Sequence, residues 1–184
     1  MRKTYLPVAI VILFTMSALL AIRFFFLSWN NLLSKRPIMQ IQAPRENNAY
    51  IPARYTCDAN DEVPNLTIKD IPQNTKTLAL IVDDPDAPVG NRDHYLLANI
   101  PIEGNETGIK LGTQLDAIVG KNSRGRNDRG WPCPPNGVHR YFFKIYALDQ
   151  TLDIKKWFTK EHLLKAMDGH IITQTELIGL YQRQ

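Results

Sequence analysis

The run Thr77-Leu78-Ala79-Leu80-Ile81-Val82, followed at once by Asp83-Asp84-Pro85-Asp86-Ala87-Pro88, is the most informative segment of the chain. A short apolar run with β-branched residues that ends in a polar, proline-containing segment is typical of a buried strand and the loop after it. The two prolines restrict the backbone around three carboxylates, so this turn is stiff. The sequence therefore predicts a core strand that ends in fixed acidic side chains.

Two further runs, His94 to Ile100 and Tyr141 to Leu148, are predicted to join this strand at the centre of a sheet. The second is rich in aromatic residues, which pack well on a pleated surface. Weaker strand character is found in Leu66 to Ile68 and in Ile171 to Tyr181. Mostly strands, long irregular loops and no repeated βα alternation predict a mainly β domain with antiparallel pairing.

One segment, Lys160 to Met167, predicts a short helix. Thr159 is suited to be its N-cap, and Gly169 follows its end. The predicted apolar face consists of Leu163, Leu164 and Met167.

The N-terminus carries an almost unbroken apolar run, Leu6 to Ile22, preceded by Arg2 and Lys3. A spanning helix needs roughly 20 apolar residues and a signal-peptide core about 7 to 15, so the run lies between the two. We expect residues 1–30 to form an uncleaved signal anchor, residues 31–40 a linker and residues 41–184 one β domain. The predicted location is membrane-anchored with an extracytoplasmic domain, periplasmic in a bacterium; cleavage of residues 1–30 would give a secreted protein.

The charge and the cysteine content limit the kinds of binding site that the chain can contain. The net charge of +4 comes partly from the targeting segment and does not indicate nucleic-acid binding. Cys57 and Cys133 can form a disulfide in an oxidising compartment, or they are two separate, partly buried thiols. Their spacing does not fit a zinc or CxxC redox motif, and we predict no metal site.

Polar side chains lie where the three central strands begin or end. Asp84 and Asp86 follow the first strand, His94 starts the second, and His139 and Tyr141 start the third. Taken singly, each of these segments is more often structural than functional. If the strands are neighbours, however, their polar groups converge at one sheet edge, which is a common way to build a small ligand site. A His–carboxylate pair suits acid–base catalysis, metal binding or a hydrogen-bonding site, yet no motif for an activated nucleophile is present.

In this order, the segments resemble the phosphatidylethanolamine-binding protein family, in particular its bacterial branch of Raf kinase inhibitor-like proteins. The resemblance covers about Ala49 to Arg183. The matching motifs are Leu80 to Pro88, His94 to Pro101, Pro132 to Pro135, Gly137 to Phe143 and Tyr146 to Asp149. It implies a large central antiparallel sheet packed on a smaller sheet, with short peripheral helices.

The resemblance also implies a pocket for phosphate-like anions or phospholipid headgroups, in a binding and regulatory protein without enzymatic activity or cofactor. Carried over to this chain, the pocket residues are Asp84, Asp86, His94, His139 and Tyr141, with Pro85 and Pro132 shaping the rim. We expect the imidazoles and the phenol to donate hydrogen bonds to the anion. The carboxylates are expected to orient the imidazoles or to hold an amine end of the ligand.

The same residues also fit two other functions. One is a protein-interaction inhibitor of the kinase- or protease-inhibitor kind that uses the pocket rim. The other, ranked last, is a phosphoesterase with His139 and Asp84 as its acid–base pair. The chain also departs from the family pattern, because Tyr95 stands where a Trp is frequent. A basic loop with Lys121, Arg124, Arg126 and Arg129 is predicted to be a solvated surface turn; the alternative is contact with an acidic partner or lipid headgroups.

Overall fold

The computed structural model describes residues 21–25, 38–60, 62, 64–110, 116–130 and 132–184. The chain divides into two units, Met1–Pro37 and Ile38–Gln184. Residues 21–25 are helical, and the rest of the predicted signal anchor lies outside the described residues, as does the linker up to residue 37. Within the described ranges no helix has both the length and the apolar character needed to cross a bilayer.

The described strands form two sheets. The larger sheet has the order β2-β9-β8-β4-β5-β7 and the smaller one β1-β3-β6. All neighbouring strands are antiparallel except β2 and β9, which are parallel. The strands are β1 (Gln40–Gln42), β2 (Ala49–Tyr50), β3 (Asn65–Lys69), β4 (Thr77–Asp84), β5 (Arg92–Ile100), β6 (Glu106–Lys110), β7 (Ile118–Val119), β8 (His139–Leu148) and β9 (Ile171–Tyr181). The predicted mainly β fold with a large and a small sheet is confirmed.

Strand β4 is buried along its whole length because both faces of the large sheet are covered. Side chains alternate between the faces of a strand. Leu78, Leu80 and Val82 belong to the core that also contains Leu66 and Ile68 of the small sheet. On the other face, Ala79 and Ile81 pack in a second core with the helix residues Leu163 and Met167. Double coverage explains why β4 reads as a continuous apolar run.

The helix spans Lys160–Met167, as predicted, and Thr159 is its N-cap. The Thr159 hydroxyl accepts a hydrogen bond from the His162 backbone N–H (3.4 Å), and the His162 ring accepts one from the Thr159 N–H (3.5 Å). This reciprocal arrangement is a capping box with histidine in the place of Glu or Gln. The prediction was wrong for Leu164, which is 45% exposed. Leu163 already faces the sheet, and one helical step of about 100° turns its neighbour toward solvent.

A disulfide joins Cys57 to Cys133, with 5.5 Å between their Cα atoms. Beside it, the backbone N–H of Cys57 donates a hydrogen bond to the carbonyl of Pro132 (3.3 Å). The irregular loop that precedes β8 is therefore fastened to the segment after the 3-10 turn Ala53–Tyr55. This loop leads directly into the strand that carries His139.

Candidate functional site

Asp84, the last residue of β4, lies at the centre of the site and is 2% exposed. One carboxylate oxygen accepts the backbone N–H of Asp86 (2.9 Å), an Asx-type turn that ends the strand. The other oxygen lies 2.7 Å from Nδ1 of His139. Because a carboxylate only accepts, this ring nitrogen carries a proton that it donates to Asp84.

His94 reaches the same carboxylate because β5 contains a bulge. Val82 pairs with Tyr95 but Asp83 pairs with Asp93, so His94 is an additional residue on β5. Neighbouring residues of a regular strand point to opposite faces, whereas a bulge can redirect a side chain. His94 thus lies beside Tyr141 in the space between the sheets, on the same side as Tyr95.

The ring of His94 has a defined orientation. Its Nδ1 lies 2.6 Å from the carbonyl oxygen of Gly130, which can only accept, so Nδ1 is the donor. Nε2 then points toward Asp84, at 3.9 Å from the carboxylate oxygen, which is too long for a hydrogen bond. Nε2 of His94 is buried and has no hydrogen-bond partner among the described residues.

Tyr141 completes the site from β8. Its ring stacks on that of His139, with centroids 6.5 Å apart, and meets the His94 ring edge-on at 5.3 Å. Burial, and then the charge of Asp84, raise the pKa of Tyr141 well above its usual value, so the phenol keeps its proton. The Tyr141 hydroxyl lies near the backbone of Cys133, but it has no hydrogen-bond partner among the described residues.

The charge state of Asp84 follows from competing effects. Burial acts to raise the pKa of this carboxyl, but His94, His139 and the backbone N–H of Asp86 outweigh it and hold the pKa below its ordinary value. Asp84 is therefore ionised at neutral pH. When both imidazoles are protonated, Asp84, His94 and His139 together carry one net positive charge, which suits an anionic ligand.

Asp86 has a different partner from the one predicted. Its carboxylate accepts Nη2 (2.7 Å), Nε (2.8 Å) and the backbone N–H (2.9 Å) of Arg140. These bonds lower the pKa of Asp86 to about 2. Asp86 thus ties the β4–β5 turn to the start of β8 and does not contact either imidazole, so the assigned orienting role falls to Asp84 alone.

The two rim prolines differ in position. Pro85 is exposed, whereas Pro132 is buried and lines a narrow cavity of about 10 Å³ next to Tyr141. The other lining residues are Val82, Tyr95, Arg129, Gly130, Tyr141 and Phe143. A cavity of this size has room for about one water molecule. The closed space behind the phenol is therefore too small for an acyl chain.

Two contributors to the site, Gly130 and Arg92, were not predicted from the sequence. Gly130 orients His94 through its carbonyl, and a Cβ at this position would lie 3.3 Å from the His94 ring. Arg92 pairs with Asp84 across β4 and β5, is half-buried and has no ion pair with the described residues. Asp83 belongs to the opposite face, where it binds Lys144 and Lys160. No local sequence pattern links Gly130 to His94, because 36 residues separate them.

The described residues contain no cluster of three or more His, Cys, Asp and Glu side chains arranged to hold a metal ion. The site instead offers ring N–H groups, a phenol and one carboxylate, all on strands of one rigid sheet. Such an arrangement can donate hydrogen bonds to a small polar ligand.

Fold and site together define a two-sheet β domain with a small polar site where β4, β5 and β8 meet. The sequence model of the phosphatidylethanolamine-binding protein family matches residues 42–182. The chain belongs to this family, which confirms the resemblance seen in the sequence.

Two relatives of known sequence support this membership. A UPF0098 protein of Pyrococcus abyssi is 46% identical over 145 residues, covering 75% of this chain and 82% of the relative. A UPF0098 protein of Chlamydia trachomatis is 41% identical over 139 residues, covering 72% and 91%.

Two solved structures share the fold. The crystal structure of a phosphatidylethanolamine-binding protein homologue from Chlamydia trachomatis superposes with a TM-score of 0.74 at 37% identity, covering 79% of this chain and 98% of that one. Escherichia coli YbcL, with a TM-score of 0.70, 23% identity and coverage of 79% and 99%, shows likeness of fold alone.

Proposed function

We propose that this chain is a non-enzymatic binding protein whose site at Asp84, His94, His139 and Tyr141 takes phosphate-like anions, either free or as a phospholipid headgroup. One observation carries the proposal: Nε2 of His94 and the hydroxyl of Tyr141 are buried beside Asp84 without hydrogen-bond partners among the described residues. Leaving a buried polar atom unbonded costs about 1 to 3 kcal/mol. A ligand that bonds to both atoms removes this cost.

The chemistry of these atoms favours an oxyanion. The Tyr141 phenol keeps its proton and donates, and a protonated His94 donates through Nε2. A phosphate oxygen can accept both bonds. Because the ionised Asp84 repels an anion, the attraction has to come from the imidazole and phenol donors around it.

The test is calorimetry with inorganic phosphate and with O-phosphoethanolamine. Tyr141→Phe removes one donor and keeps the ring, so the affinity should fall about tenfold. His139→Ala should lower it as well. His170→Ala is a matched control, because His170 also pairs with an aspartate, Asp149, at 3.0 Å but on the surface.

Equal affinities of the wild type and Tyr141→Phe for both ligands would contradict the binding assignment. Hydrolysis of a phosphomonoester or phosphodiester that disappears in Asp84→Asn would contradict its non-enzymatic part. A preference for phosphoethanolamine over inorganic phosphate would identify the headgroup as the better ligand.

A second candidate function is a protein-interaction inhibitor that uses the rim. It is favoured by Val89 in the β4–β5 turn, which is 91% exposed, and by the exposed Val138 next to His139. If the protein is such an inhibitor, a phosphoserine peptide should bind more tightly than free phosphate. Val89→Asp should then lower the affinity for the peptide but not that for phosphate. Calorimetry with the two ligands separates the alternatives.

We also propose that the domain is anchored outside the cytoplasm by its N-terminal segment. The apolar run Leu6 to Ile22 supports this, and so does the Cys57–Cys133 disulfide, because disulfides persist in oxidising compartments. Mass spectrometry of the chain recovered from membranes should find Met1 or Arg2 at its start. A soluble chain that begins after the apolar run would instead identify a cleaved signal peptide.

A further inference from the structure

Trp157 presents an indole to solvent on the helix side of the large sheet. It is 48% exposed, whereas the next residue, Phe158, is buried in the core beneath the helix. The backbone φ of Trp157 is +72°, a left-handed conformation that is uncommon for a bulky residue. The surrounding structure therefore has to hold this residue in place.

Backbone contacts with β7 provide that hold. The Trp157 N–H donates to the carbonyl of Val119 (3.2 Å), and the Lys121 N–H donates to the carbonyl of Phe158 (2.7 Å). Gly120 permits this close approach, because a Cβ there would lie 2.6 Å from the Phe158 ring and 2.8 Å from its carbonyl oxygen. The backbone of the loop is thus fixed to the sheet edge, and the indole extends from it into solvent.

Basic side chains surround the indole. Lys121 lies 5.9 Å from the centre of the Trp157 ring. Lys155, Lys156 and Lys165 line an open depression of about 650 Å³ together with Trp157 itself. All four lysines are exposed, and none has an ion pair with a carboxylate in the described part of the chain.

Few acidic groups offset this charge. Asp153 lines the depression, His162 of the helix lies on the same wall, and Glu161 is exposed in the first helical turn. Lys160 is not part of this surface charge, since it is bound to Asp83 and Asp93. The surface formed by Lys121, Lys155, Lys156, Trp157 and Lys165, here called the Trp–Lys face, is positively charged with one apolar group in it.

We propose that the Trp–Lys face docks on a bilayer surface that contains anionic phospholipids. An exposed tryptophan is suited to the headgroup region, because its ring is apolar and its N–H is polar. Each lysine near an anionic membrane surface contributes about 1 kcal/mol. Single-stranded nucleic acid is disfavoured, because its binding sites use several aromatic side chains for successive bases, and this face has one.

The proposal is independent of the phosphate site, since it concerns other residues on the other face of the large sheet. It is tested with the full chain reconstituted in phosphatidylcholine vesicles, with and without phosphatidylglycerol, made from brominated lipids. Bromine quenches tryptophan fluorescence at short range, and subtracting a Trp157→Phe variant isolates the Trp157 signal. Quenching of Trp157 is expected in the anionic vesicles and should decrease with added salt.

Lys155→Gln with Lys156→Gln removes two charges from the Trp–Lys face and should lower the docking constant about 30-fold, from the contribution of two lysines. Arg54→Gln with Lys69→Gln is the matched control. It removes the same charge far from the Trp–Lys face. Arg54 pairs with Glu62 at 3.9 Å and lies over the Tyr55 ring at 4.7 Å, and the partly exposed Lys69 pairs with Glu106 at 3.5 Å. This control should leave the quenching unchanged.

Equal quenching of Trp157 in neutral and anionic vesicles would overturn the proposal, and so would equal effects of the two double variants. Binding of single-stranded RNA that requires Trp157, without lipid quenching, would also overturn it and assign the face to nucleic acid. Circular dichroism of each variant separates loss of docking from loss of fold.

Discussion

At the residue scale, the site depends on one carboxylate. Asp84 is 2% exposed, bonds to the protonated Nδ1 of His139 and faces Nε2 of His94. Because two histidines and a backbone N–H lie around it, Asp84 stays charged in a buried place where an isolated carboxylate would not. This charge orients the His139 imidazole directly, whereas the carbonyl of Gly130 orients that of His94.

Asp84→Asn should lower the free energy of unfolding at neutral pH by about 2 kcal/mol, the contribution of a hydrogen bond to a charged group. The pKa of Asp84 is lowered on folding, so its stabilisation is complete above the ordinary aspartate pKa of about 3.9 and is lost as pH falls through the folded value. Urea unfolding at several pH values should show the wild type and Asp84→Asn converging below about pH 4. Asp149→Asn, at the exposed pair, should change stability by less than about 0.5 kcal/mol.

Arg140 holds the carboxylate of Asp86 through two side-chain hydrogen bonds, and the effect of replacing Arg140 can be measured directly. In Arg140→Ala, the pKa of Asp86 should rise from about 2 toward the ordinary value of about 3.9, because the two side-chain bonds are lost. Carbon-13 NMR titration of the carboxyl group measures this. Arg124→Ala should leave the pKa of Asp86 unchanged, and an unchanged value in Arg140→Ala would show that the pair does not form.

The partners of the three carboxylates in the acidic turn could not be predicted from the sequence. Asp83, Asp84 and Asp86 are nearly adjacent, yet they bind Lys160, His139 and Arg140, which come from distant parts of the chain. The residue types predict that polar groups converge. Asp84, His94 and His139 do lie together, whereas Asp83 faces the helix and Asp86 binds Arg140. Which carboxylate meets which cation depends on strand pairing over more than 50 residues, and no local pattern contains that information.

At the scale of elements, the helix is fastened to the sheet by a buried charge cluster. Asp83 is fully buried and accepts hydrogen bonds from Lys160 (2.6 Å), Lys144 (2.9 Å) and Asn91 (3.1 Å). Burial acts to raise the pKa of Asp83, but these donors outweigh it and lower the pKa. Lys160 also bonds to Asp93 of β5 (2.9 Å), so the first turn of the helix is held at two points.

Lys160→Met keeps the aliphatic stem and removes the charge. The free energy of unfolding should fall by about 3 kcal/mol, because a buried carboxylate loses a partner. Chemical denaturation measures the change. Lys165→Met, on the exposed side of the same helix, is the control and should differ from the wild type by less than about 0.5 kcal/mol. Similar stability of both variants would mean that Lys144 and Asn91 suffice for Asp83.

The central strands and the helix could be predicted from the sequence, whereas the edge strands could not. Apolar runs predicted β4, β5 and β8, because burial in a sheet leaves a clear pattern. The helix was predicted instead from its N-cap residue, its apolar face and the glycine after its end. The edge strands β1, β2, β6 and β7 have two to five residues and are largely polar or too short to show a period. They are strands only because a neighbour pairs with them. The bulge at His94 was also not predictable, since it arises from the register between β4 and β5.

At the scale of the whole molecule, the disulfide closes a loop with a sequence separation of 76 residues. Replacing Cys57 and Cys133 by serine should lower the free energy of unfolding by about 4 kcal/mol in the chain-entropy model. It should also weaken phosphate binding, because the loop with Gly130 and Pro132 forms one wall of the site. Denaturation with and without reductant measures the first effect, and reductant should not change the double variant further.

Strand β4 has one more consequence for the molecule as a whole. Its consecutive residues Asp83 and Asp84 point to opposite faces, one toward the helix and the other toward the site. A single inserted or deleted residue within Leu78 to Val82 would exchange the two faces of the strand's end. Both the helix attachment and the ligand site would then fail at once. Point substitutions can alter either face separately, but a change in the length of β4 cannot, so descendants of this sequence can vary in length only in the surrounding loops.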